Sequence, residues 1–351
     1  MNAPDHRLRI VAWETTRRCP LHCAHCRGSA RDQKFAGELT TAEGLRLLDG
    51  IAAWAKPLLI LTGGEPMTRP DIYDLAQHAT GRGMRVVMAP CGSLITPDTA
   101  QRMKAAGVQA VSISLDAADA AAHDAFRGTP GAFAAALKGI ACIREADISF
   151  QINTTVTTSN VSHLPQMLEL AARLGAATLD LFFFVPTGRG AALRDLALSP
   201  QQYEATLRWV AETARTAPIR LKTTCAPQIA RLLRSAPAPP APAGVRTPPA
   251  RGAAEGCLAG RGFVFISHRG VVQPCGFLDV ACGDLRAAEF DLRRIYETAP
   301  VFQQLRDTGS YRGACGACAF VSTCGGCRAR AFAHSGDYLD QEPSCLYHDR
   351  T

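Results

Sequence analysis

The chain has 351 residues, of which 47% are hydrophobic and 20% are charged, and its formal net charge is +7 at pH 7. These proportions are typical of a globular protein, and the length allows one large domain and a smaller one. No apolar run approaches the roughly 20 residues that cross a bilayer, and no basic run interleaved with aromatic residues indicates nucleic-acid binding. Because residues 1–9 lack the apolar stretch of a signal peptide, we expect a cytoplasmic protein without membrane or nucleic-acid partners.

Cysteine is unusually frequent, with 14 residues in all and more than half of them after residue 256. Since the cytoplasm keeps thiols reduced, these cysteines predict metal ligands rather than disulfides. Arginine supplies almost all of the positive charge, and its paired N–H groups suit carboxylates and phosphates. An acidic substrate would fit this bias, although a general preference for arginine codons explains it equally well.

The first predicted strand, residues 8–14, leads into a loop in which three cysteines follow a C-x3-C-x2-C spacing. They are Cys19, Cys23 and Cys26. A 4Fe-4S cluster has four irons, so three cysteine ligands leave one iron open to an external ligand, whereas closed iron-sulfur and zinc sites normally have four protein ligands. The alternative is a zinc site in which His22 or His25 is the fourth ligand.

Strands and helices then alternate. Thr40 and Glu43 form a capping box that begins a helix over 41–55. The short apolar run at 58–62 is typical of a buried parallel strand. Further strands are predicted at 84–89, 110–115, 148–157 and 178–185, with helices at 70–80, 97–106, 131–145 and 164–174. Six strands separated by helices predict a parallel sheet with right-handed crossovers, either open or curled.

After the sixth predicted strand, the amino-acid composition changes twice. Ser199 and Pro200 begin another helix, and residues 219–223 can form one more strand. Residues 235–256 are too rich in proline and alanine to pack, which predicts a linker or a loop over the substrate mouth. We therefore divide the chain into a strand-helix domain, a linker and a cysteine-rich domain, over 1–234, 235–256 and 257–351.

The cysteine loop and the Gly-Gly-Glu-Pro segment that contains Gly63, Gly64 and Glu65 together resemble the radical S-adenosylmethionine (SAM) superfamily. The resemblance implies a partial (β/α)6 barrel with its chemistry at the carboxyl ends of the strands. It also implies that the open iron binds SAM and that one electron cleaves it to methionine and a 5′-deoxyadenosyl radical. The glycines let the backbone approach a ligand closely, and the family places this segment at the SAM amino group, with a structural role for Glu65.

Polar side chains at the ends of later strands are candidates for holding SAM. Ser114 and Asp116 lie on one face of the fourth strand, and their oxygens suit ribose hydroxyls, as the family resemblance also implies. Asn153 on the fifth strand offers a second polar contact. Arg189, after the sixth strand, can bind a carboxylate of SAM or of the substrate.

The cysteine-rich end of the chain resembles the SPASM extension, which carries one or two auxiliary 4Fe-4S clusters in relatives. Gly270, five residues before Cys275, belongs to that pattern. By position, one cluster would be held by Cys315, Cys318, Cys324 and Cys345. The other would be held by Cys257, Cys275 and Cys327.

This sequence departs from the SPASM pattern in two places, because two residues instead of three separate Cys324 from Cys327 and no cysteine follows closely after Cys257. The fourth ligand of the second cluster is therefore open, with Cys282 or an iron without a protein ligand as candidates. A pair of zinc sites is the alternative. Of the remaining cysteines, two are expected to be inert core thiols and one, at a strand end near the barrel mouth, to be functional. These are Cys91, Cys142 and Cys225.

Longer stretches resemble the radical SAM enzymes of alternative haem biosynthesis, and most of all the iron-coproporphyrin III decarboxylases. They include His-Asp-Ala-Phe-Arg-Gly at 123–128 and Cys-Gly-Gly-Cys-Arg-Ala-Arg at 324–330. The resemblance implies hydrogen removal from a propionate β-carbon, then loss of CO2 and one electron, with an auxiliary cluster as a plausible acceptor. Two rounds would give haem b. It implies an iron-porphyrin substrate and a small electron donor such as a flavodoxin or ferredoxin.

Candidate partners for the substrate propionates are Arg17, Arg189, Arg328 and Arg330, and candidate haem-iron ligands are His268 and Cys225. Relatives that decarboxylate siroheme or form haem d1 share much of this sequence and stay open as alternatives. Two other classes also stay open: a SPASM maturase acting on a peptide, and a non-catalytic zinc or iron-sulfur scaffold.

Overall fold

The computed structural model describes residues 6–235 and 256–347. Its ten strands form one sheet in the order β10-β9-β8-β1-β2-β3-β4-β5-β6-β7. The strands are β1 (Ile10–Thr16), β2 (Leu58–Gly63), β3 (Arg85–Met88), β4 (Val108–Ser114), β5 (Ser149–Val156), β6 (Thr178–Phe183), β7 (Arg220–Thr224), β8 (Phe263–Ile266), β9 (Val271–Gln273) and β10 (Gly283–Asp284). Within the described residues the edge strands β7 and β10 do not pair with each other, so the sheet is open.

Within the described residues, eight α-helices lie between strands along the chain and four follow the last strand, β10. They are α1 (Thr41–Trp54), α2 (Ile72–Gly81), α3 (Pro97–Ala105), α4 (Ala120–Arg127), α5 (Ala132–Glu145), α6 (Leu164–Leu174), α7 (Pro200–Thr213), α8 (Ile229–Ser235), α9 (Leu292–Thr298), α10 (Pro300–Arg306), α11 (Gly313–Gly316) and α12 (Arg328–Ser335). The capping box of Thr40 and Glu43 forms as predicted at the start of α1.

Every neighbouring pair from β1 to β7 is parallel, which confirms the predicted α/β fold. All six predicted strands are present, and residues 219–223 do form a seventh beside β6. Alternate residues of each strand face the helices, and Leu59, Ile113 and Ile152 are fully buried there. The other face of the sheet carries polar side chains and holds the site.

Two features of the fold were not predicted. α4 was missed, although Asp119 caps its first turn and Gly128 ends it in the left-handed conformation. β8 of the cysteine-rich segment pairs in parallel with β1, so this segment extends the same sheet. Most of the predicted linker lies outside the described residues.

Gly63 and Gly64 lie against the start of the cysteine loop. A Cβ at Gly63 would be 2.3 Å from the Thr16 carbonyl oxygen, and one at Gly64 would be 2.5 Å from that of Arg18. The N–H of Gly64 donates to the Thr16 carbonyl at 2.8 Å, and the N–H of Glu65 donates to that of Arg18 at 2.7 Å. The glycines are therefore required because the two backbones touch, and they fix where the loop begins.

We expect Gly64→Ala to lower the free energy of unfolding by about 2 kcal/mol, because rigid backbone oxygens occupy the space that the new methyl group needs. Gly81→Ala is the matched control, since a Cβ there meets no atom within 4 Å. Urea unfolding of both variants checks this. A stability of Gly64→Ala equal to that of the control would mean that the backbone contact carries no constraint.

Candidate functional site

The three loop cysteines gather in one small cluster of side chains. Cys19 and Cys23 are 6% and 8% exposed, and Cys26 is half-buried beside them. Burial, together with Glu65 and the two neighbouring thiols, raises the pKa of the Cys19 thiol to about 12. Thiols in such a place become anionic only when a metal centre binds them, since coordination deprotonates a thiol outright.

Hydrogen-bond donors point at these sulfurs, as they do at cluster ligands. The N–H of Ala30 donates to Cys26 Sγ at 3.3 Å, and Arg127 Nη1 donates to Cys23 Sγ at 3.7 Å. These donors stabilise thiolates, so the three side chains fit a 4Fe-4S cluster with three protein ligands.

The loop histidines lie apart from the thiols. His22 is exposed, while the His25 ring stacks on Phe126 with 4.1 Å between centroids and 7° between planes. Burial has the largest effect on the pKa of the Cys23 thiol and raises it, and Arg127 and Cys26 are the neighbouring groups with the largest effects. The geometry therefore favours the cluster over a zinc site completed by a histidine.

The missed helix α4 is what holds the loop from one side. Its Phe126 carbonyl accepts from the N–H of Ala24 at 3.0 Å. Its Arg127 forms an ion pair with Asp116 at 2.6 Å and also donates to the Cys23 sulfur. Asp116 Oδ1 also accepts from the N–H of Thr155 at 2.8 Å, and the side chain is 2% exposed. The carboxylate of Asp116 therefore orients Arg127, and its contact with the SAM ribose stays a prediction.

Arg189 holds the loop from the other side. Its Nε donates to the Cys23 carbonyl at 2.9 Å and its Nη1 to that of Ala30 at 2.6 Å, so most of the guanidinium serves the loop itself. Nη2 is buried and has no hydrogen-bond partner within the described residues. That nitrogen is the one donor left for a ligand carboxylate.

Glu65 is fully buried, and its two oxygens accept from the N–H groups of Met67 at 2.9 Å and Cys91 at 2.6 Å. Its position supports the structural role that the family resemblance implied. Ser114 and Asn153 are half-buried and directly opposite each other in the β4–β5 register. Both lie on the polar face of the sheet, where they can contact a ligand.

Glu14 on β1 is a site residue that the sequence analysis missed. It has no exposed surface, and it accepts from Arg17 Nη2 at 3.1 Å and Arg27 Nη2 at 3.3 Å and contacts His268 Nδ1 at 2.9 Å. Burial opposes ionisation, yet Arg27, His268 and Arg17 together lower the pKa of Glu14 to about 2. The anion thus anchors two arginines beside the cysteine loop. The charged residue in the middle of an apolar strand was the signal that could have revealed it.

His268 is 4% exposed and uses Nδ1 for Glu14, so haem-iron ligation through its other ring nitrogen stays a prediction. Arg328 and Arg330 are also internal. Arg328 donates to the Asp340 carbonyl at 2.6 Å, and Arg330 donates to that of Cys225 at 2.8 Å. Neither guanidinium is free for a substrate propionate, so of the arginine candidates only Arg17 and the single nitrogen of Arg189 stay available.

Four cysteines gather in a second cluster at the junction between the sheet and the C-terminal segment. They are Cys225, Cys257, Cys275 and Cys327. The thiols of Cys225 and Cys327 are hydrogen-bonded, which lowers the pKa of Cys327 to about 7. The N–H of Phe277 donates to Cys275 Sγ at 3.4 Å. Three of these four were predicted together.

A third group contains cysteines that the SPASM resemblance placed together. The thiol of Cys324 interacts with those of Cys345 and Cys315. Backbone N–H groups donate to Cys315, Cys318 and Cys324 at 3.3 to 3.4 Å, in the manner of cluster ligands.

The other three cysteines differ. Cys142 is buried in the main apolar core, as expected. Cys91 packs against the cysteine loop, and its Sγ is 3.0 Å from Ser93 Oγ. Cys282 packs on the main core, and its thiol donates to the Val280 carbonyl at 3.9 Å.

Two kinds of feature are absent from residues 6–235 and 256–347. No group of three or more His, Cys, Asp or Glu side chains is spaced for a single metal ion. No helix in these ranges has the length and apolarity needed to span a membrane.

We expect Glu14→Gln to lower the free energy of unfolding by about 3 kcal/mol at pH 7, since a carboxyl with a pKa near 2 instead of 4.5 stabilises the folded state by that order. The stability is present above pH 4.5 and is lost as the pH falls, so the difference should shrink by more than half by about pH 3. Urea unfolding across this range measures it. Glu169→Gln, at an exposed position on α6, should show no such pH-dependent loss.

Comparisons with known proteins agree with this geometry. Residues 13–171 match the family model of the radical SAM superfamily. The chain is 46% identical to an AdoMet-dependent heme synthase of Methanosarcina barkeri, over 99% of this chain and 97% of that one. It is 45% identical to an AdoMet-dependent heme synthase of Nitratidesulfovibrio vulgaris, over 97% and 93%. A pre-heme d1 synthase of Dinoroseobacter shibae is 30% identical, over 96% and 85%.

The fold resembles Streptococcus suis SuiB bound to S-adenosylmethionine, with a TM-score of 0.74 and 16% identity, over 97% of this chain and 78% of that one. It also resembles anSMEcpe with bound AdoMet and a peptide, with a TM-score of 0.71 and 15% identity, over 98% and 95%. With the cysteine loop, the glycine segment and these matches together, the chain belongs to the radical SAM superfamily and is an enzyme that uses a 4Fe-4S cluster and SAM.

Proposed function

We propose that this enzyme oxidatively decarboxylates two propionate side chains of iron-coproporphyrin III to vinyl groups, giving haem b. The observation that carries the proposal is the 46% identity to an AdoMet-dependent heme synthase over almost the full length of both chains. The pre-heme d1 synthase covers a similar length at only 30%. Haem synthesis is therefore favoured over its closest rival, haem d1 formation.

In this proposal Cys19, Cys23 and Cys26 hold the cluster, and Gly63, Gly64, Ser114, Asn153 and Arg189 Nη2 line the SAM position. When bound, the cluster and SAM supply one-electron chemistry that removes a hydrogen atom from an unactivated carbon. The residues around them hold the loop in place. Arg127 donates a hydrogen bond to the Cys23 sulfur, Asp116 forms an ion pair with Arg127, and Arg189 donates to a loop carbonyl. No acid or base is needed for hydrogen-atom removal.

An aromatic and cationic surface beside the loop suits a porphyrin. Phe182 on the polar face of β6 lies 6.4 Å from Phe277, centroid to centroid, and both are half-buried. Arg27 lies over the Phe265 ring at 4.4 Å, and Arg17 is one-third exposed. A flat macrocycle can pack on the phenylalanines while propionates pair with guanidinium groups.

Each propionate conversion releases one hydrogen atom, one CO2 and one electron. We assign the electron to an auxiliary cluster, because Cys225, Cys257, Cys275 and Cys327 pack in the same side-chain cluster as Phe277. Reduction of the loop cluster needs an external donor. The net charge of +7 supports a small acidic electron carrier such as a flavodoxin or ferredoxin. All 14 cysteines are free, which supports a compartment that keeps thiols reduced.

Parallel anaerobic incubations test the substrate. With SAM and reductant, we expect iron-coproporphyrin III to lose two carboxyl groups as CO2 and gain two vinyl groups, while didecarboxysiroheme is returned unchanged. Mass spectrometry of the products distinguishes the two. Cys19→Ala should abolish both haem formation and 5′-deoxyadenosine release, whereas Cys142→Ala should keep them. Turnover of didecarboxysiroheme alone would replace this proposal with its closest rival.

Arg17 tests how the propionates are recognised. We expect Arg17→Gln to raise the KM for iron-coproporphyrin III by about tenfold, which corresponds to one lost charge-assisted hydrogen bond of about 1.4 kcal/mol. Arg18→Gln is the matched control, because Arg18 pairs with Asp32 on the exposed side of the loop. Steady-state kinetics at fixed SAM separates the two. Equal KM values would remove Arg17 from the substrate site.

A further inference from the structure

We propose that Cys225, at the end of β7, is the fourth ligand of the auxiliary cluster held by Cys257, Cys275 and Cys327, so that all four irons have protein ligands. This inference rests on the auxiliary cluster that the proposed function uses. It assigns a ligand that the spacing of the C-terminal cysteines does not contain, since Cys225 lies in the strand-helix part of the chain, before the proline-rich linker.

Packing brings the four thiols together. Cys225, Cys257, Cys275 and Cys327 all belong to one small side-chain cluster that also contains Phe277. The thiols of Cys225 and Cys327 are within hydrogen-bonding contact, and Cys275 interacts with both Cys257 and Cys327. Four converging thiols are the usual closed donor set of a 4Fe-4S cluster.

A buried network holds the first and last of these cysteines in place. Arg330 Nη2 donates to the Cys225 carbonyl at 2.8 Å, and its Nη1 pairs with Glu342 Oε2 at 3.0 Å. The same oxygen accepts from the N–H of Cys327 at 2.8 Å. Arg330 and Glu342 are 5% and 1% exposed, and the desolvation free energy of such a buried ion pair is offset only when its geometry is good and further hydrogen bonds satisfy both groups. Here it joins the backbones of the two cysteines.

The backbone of Cys225 has a left-handed conformation, with φ of 60°. Residues with a Cβ avoid this region, and exceptions gather where a side chain must be aimed at a functional site. The carbonyl of Cys225 is also contacted by the Tyr203 hydroxyl at 3.3 Å. The conformation is therefore held from outside by Arg330 and Tyr203.

Cys282, the ligand that we had considered from the sequence, does not fit. It packs on the main core instead of the four-cysteine cluster, and its thiol donates to the Val280 carbonyl. Ligation by Cys225 has a chemical consequence: a cluster with four cysteine ligands has no iron open to substrate and is suited to accept electrons.

The test uses the full chain carrying Cys19→Ala, Cys23→Ala and Cys26→Ala, so that only auxiliary clusters are present. Cys225→Ala, Cys225→Ser and the control Cys282→Ala are added to it separately. After anaerobic reconstitution, iron and sulfide are measured per chain, and EPR spectra are recorded before and after reduction. We expect Cys225→Ala to lose about half of the iron or to give the oxidised signal of a 3Fe-4S cluster.

Cys225→Ser should retain iron, because the serine oxygen can replace the sulfur as a ligand, but the EPR signal of the reduced cluster should shift. This variant distinguishes loss of a ligand from a general folding defect in Cys225→Ala. Cys282→Ala should match the background in both measurements. Full iron and unchanged spectra in both Cys225 variants would overturn the assignment, as would loss of a cluster in Cys282→Ala. A background protein without any auxiliary iron would overturn both this assignment and the electron acceptor proposed above. If the Cys225 variants change the auxiliary cluster as expected but the enzyme with all its cysteines forms no haem, the result would count against the proposed function alone.

Discussion

Anionic sulfur atoms that lie close together inside a protein repel one another, and each of the cysteine groups depends on how the chain offsets this repulsion. At the loop, Arg127 and the N–H of Ala30 donate to sulfur atoms while Arg189 fixes the backbone. In the C-terminal groups, Arg328 Nη2 donates to Cys315 Sγ at 3.6 Å, and Arg330 lies beside Cys225. Arginine stays charged when buried, which lysine does not, so the arginine bias of the composition has a structural use beyond codon preference.

The same arginines are supported by buried acids. Asp116 holds Arg127, Glu342 holds Arg330, and Glu14 holds Arg17 and Arg27. Each acid lies near a strand end or a cysteine, and each is less than 3% exposed. The cofactor sites are therefore surrounded by paired charges whose geometry is set by the fold, and cluster binding meets an environment that is already organised.

The C-terminal segment and the strand-helix part share one sheet. β8 continues the sheet beside β1, and Phe277 faces Phe182 of β6. Phe277 also packs in the four-cysteine cluster that includes Cys225, and Arg27 of the cysteine loop donates to the Gly276 carbonyl at 3.3 Å. These contacts connect the cysteine loop with that cluster.

Local chemistry determined much of this protein. Apolar runs and caps gave most of the parallel strands and helices to within a few residues, and thiol spacing identified the loop cysteines. The grouping of Cys257, Cys275 and Cys327 came from the SPASM resemblance. Tertiary structure alone decided the rest. The ion pair of Asp116 with Arg127 has no signal in the spacing. Arg328 and Arg330 could not be excluded as substrate ligands until their burial was known. Cys225 and Cys327 are about a hundred positions apart, and Glu14 meets His268 across an even longer separation. Spacing along a chain reports only neighbours within one loop or helix, whereas contacts between distant segments arise from how the strands are ordered in the sheet.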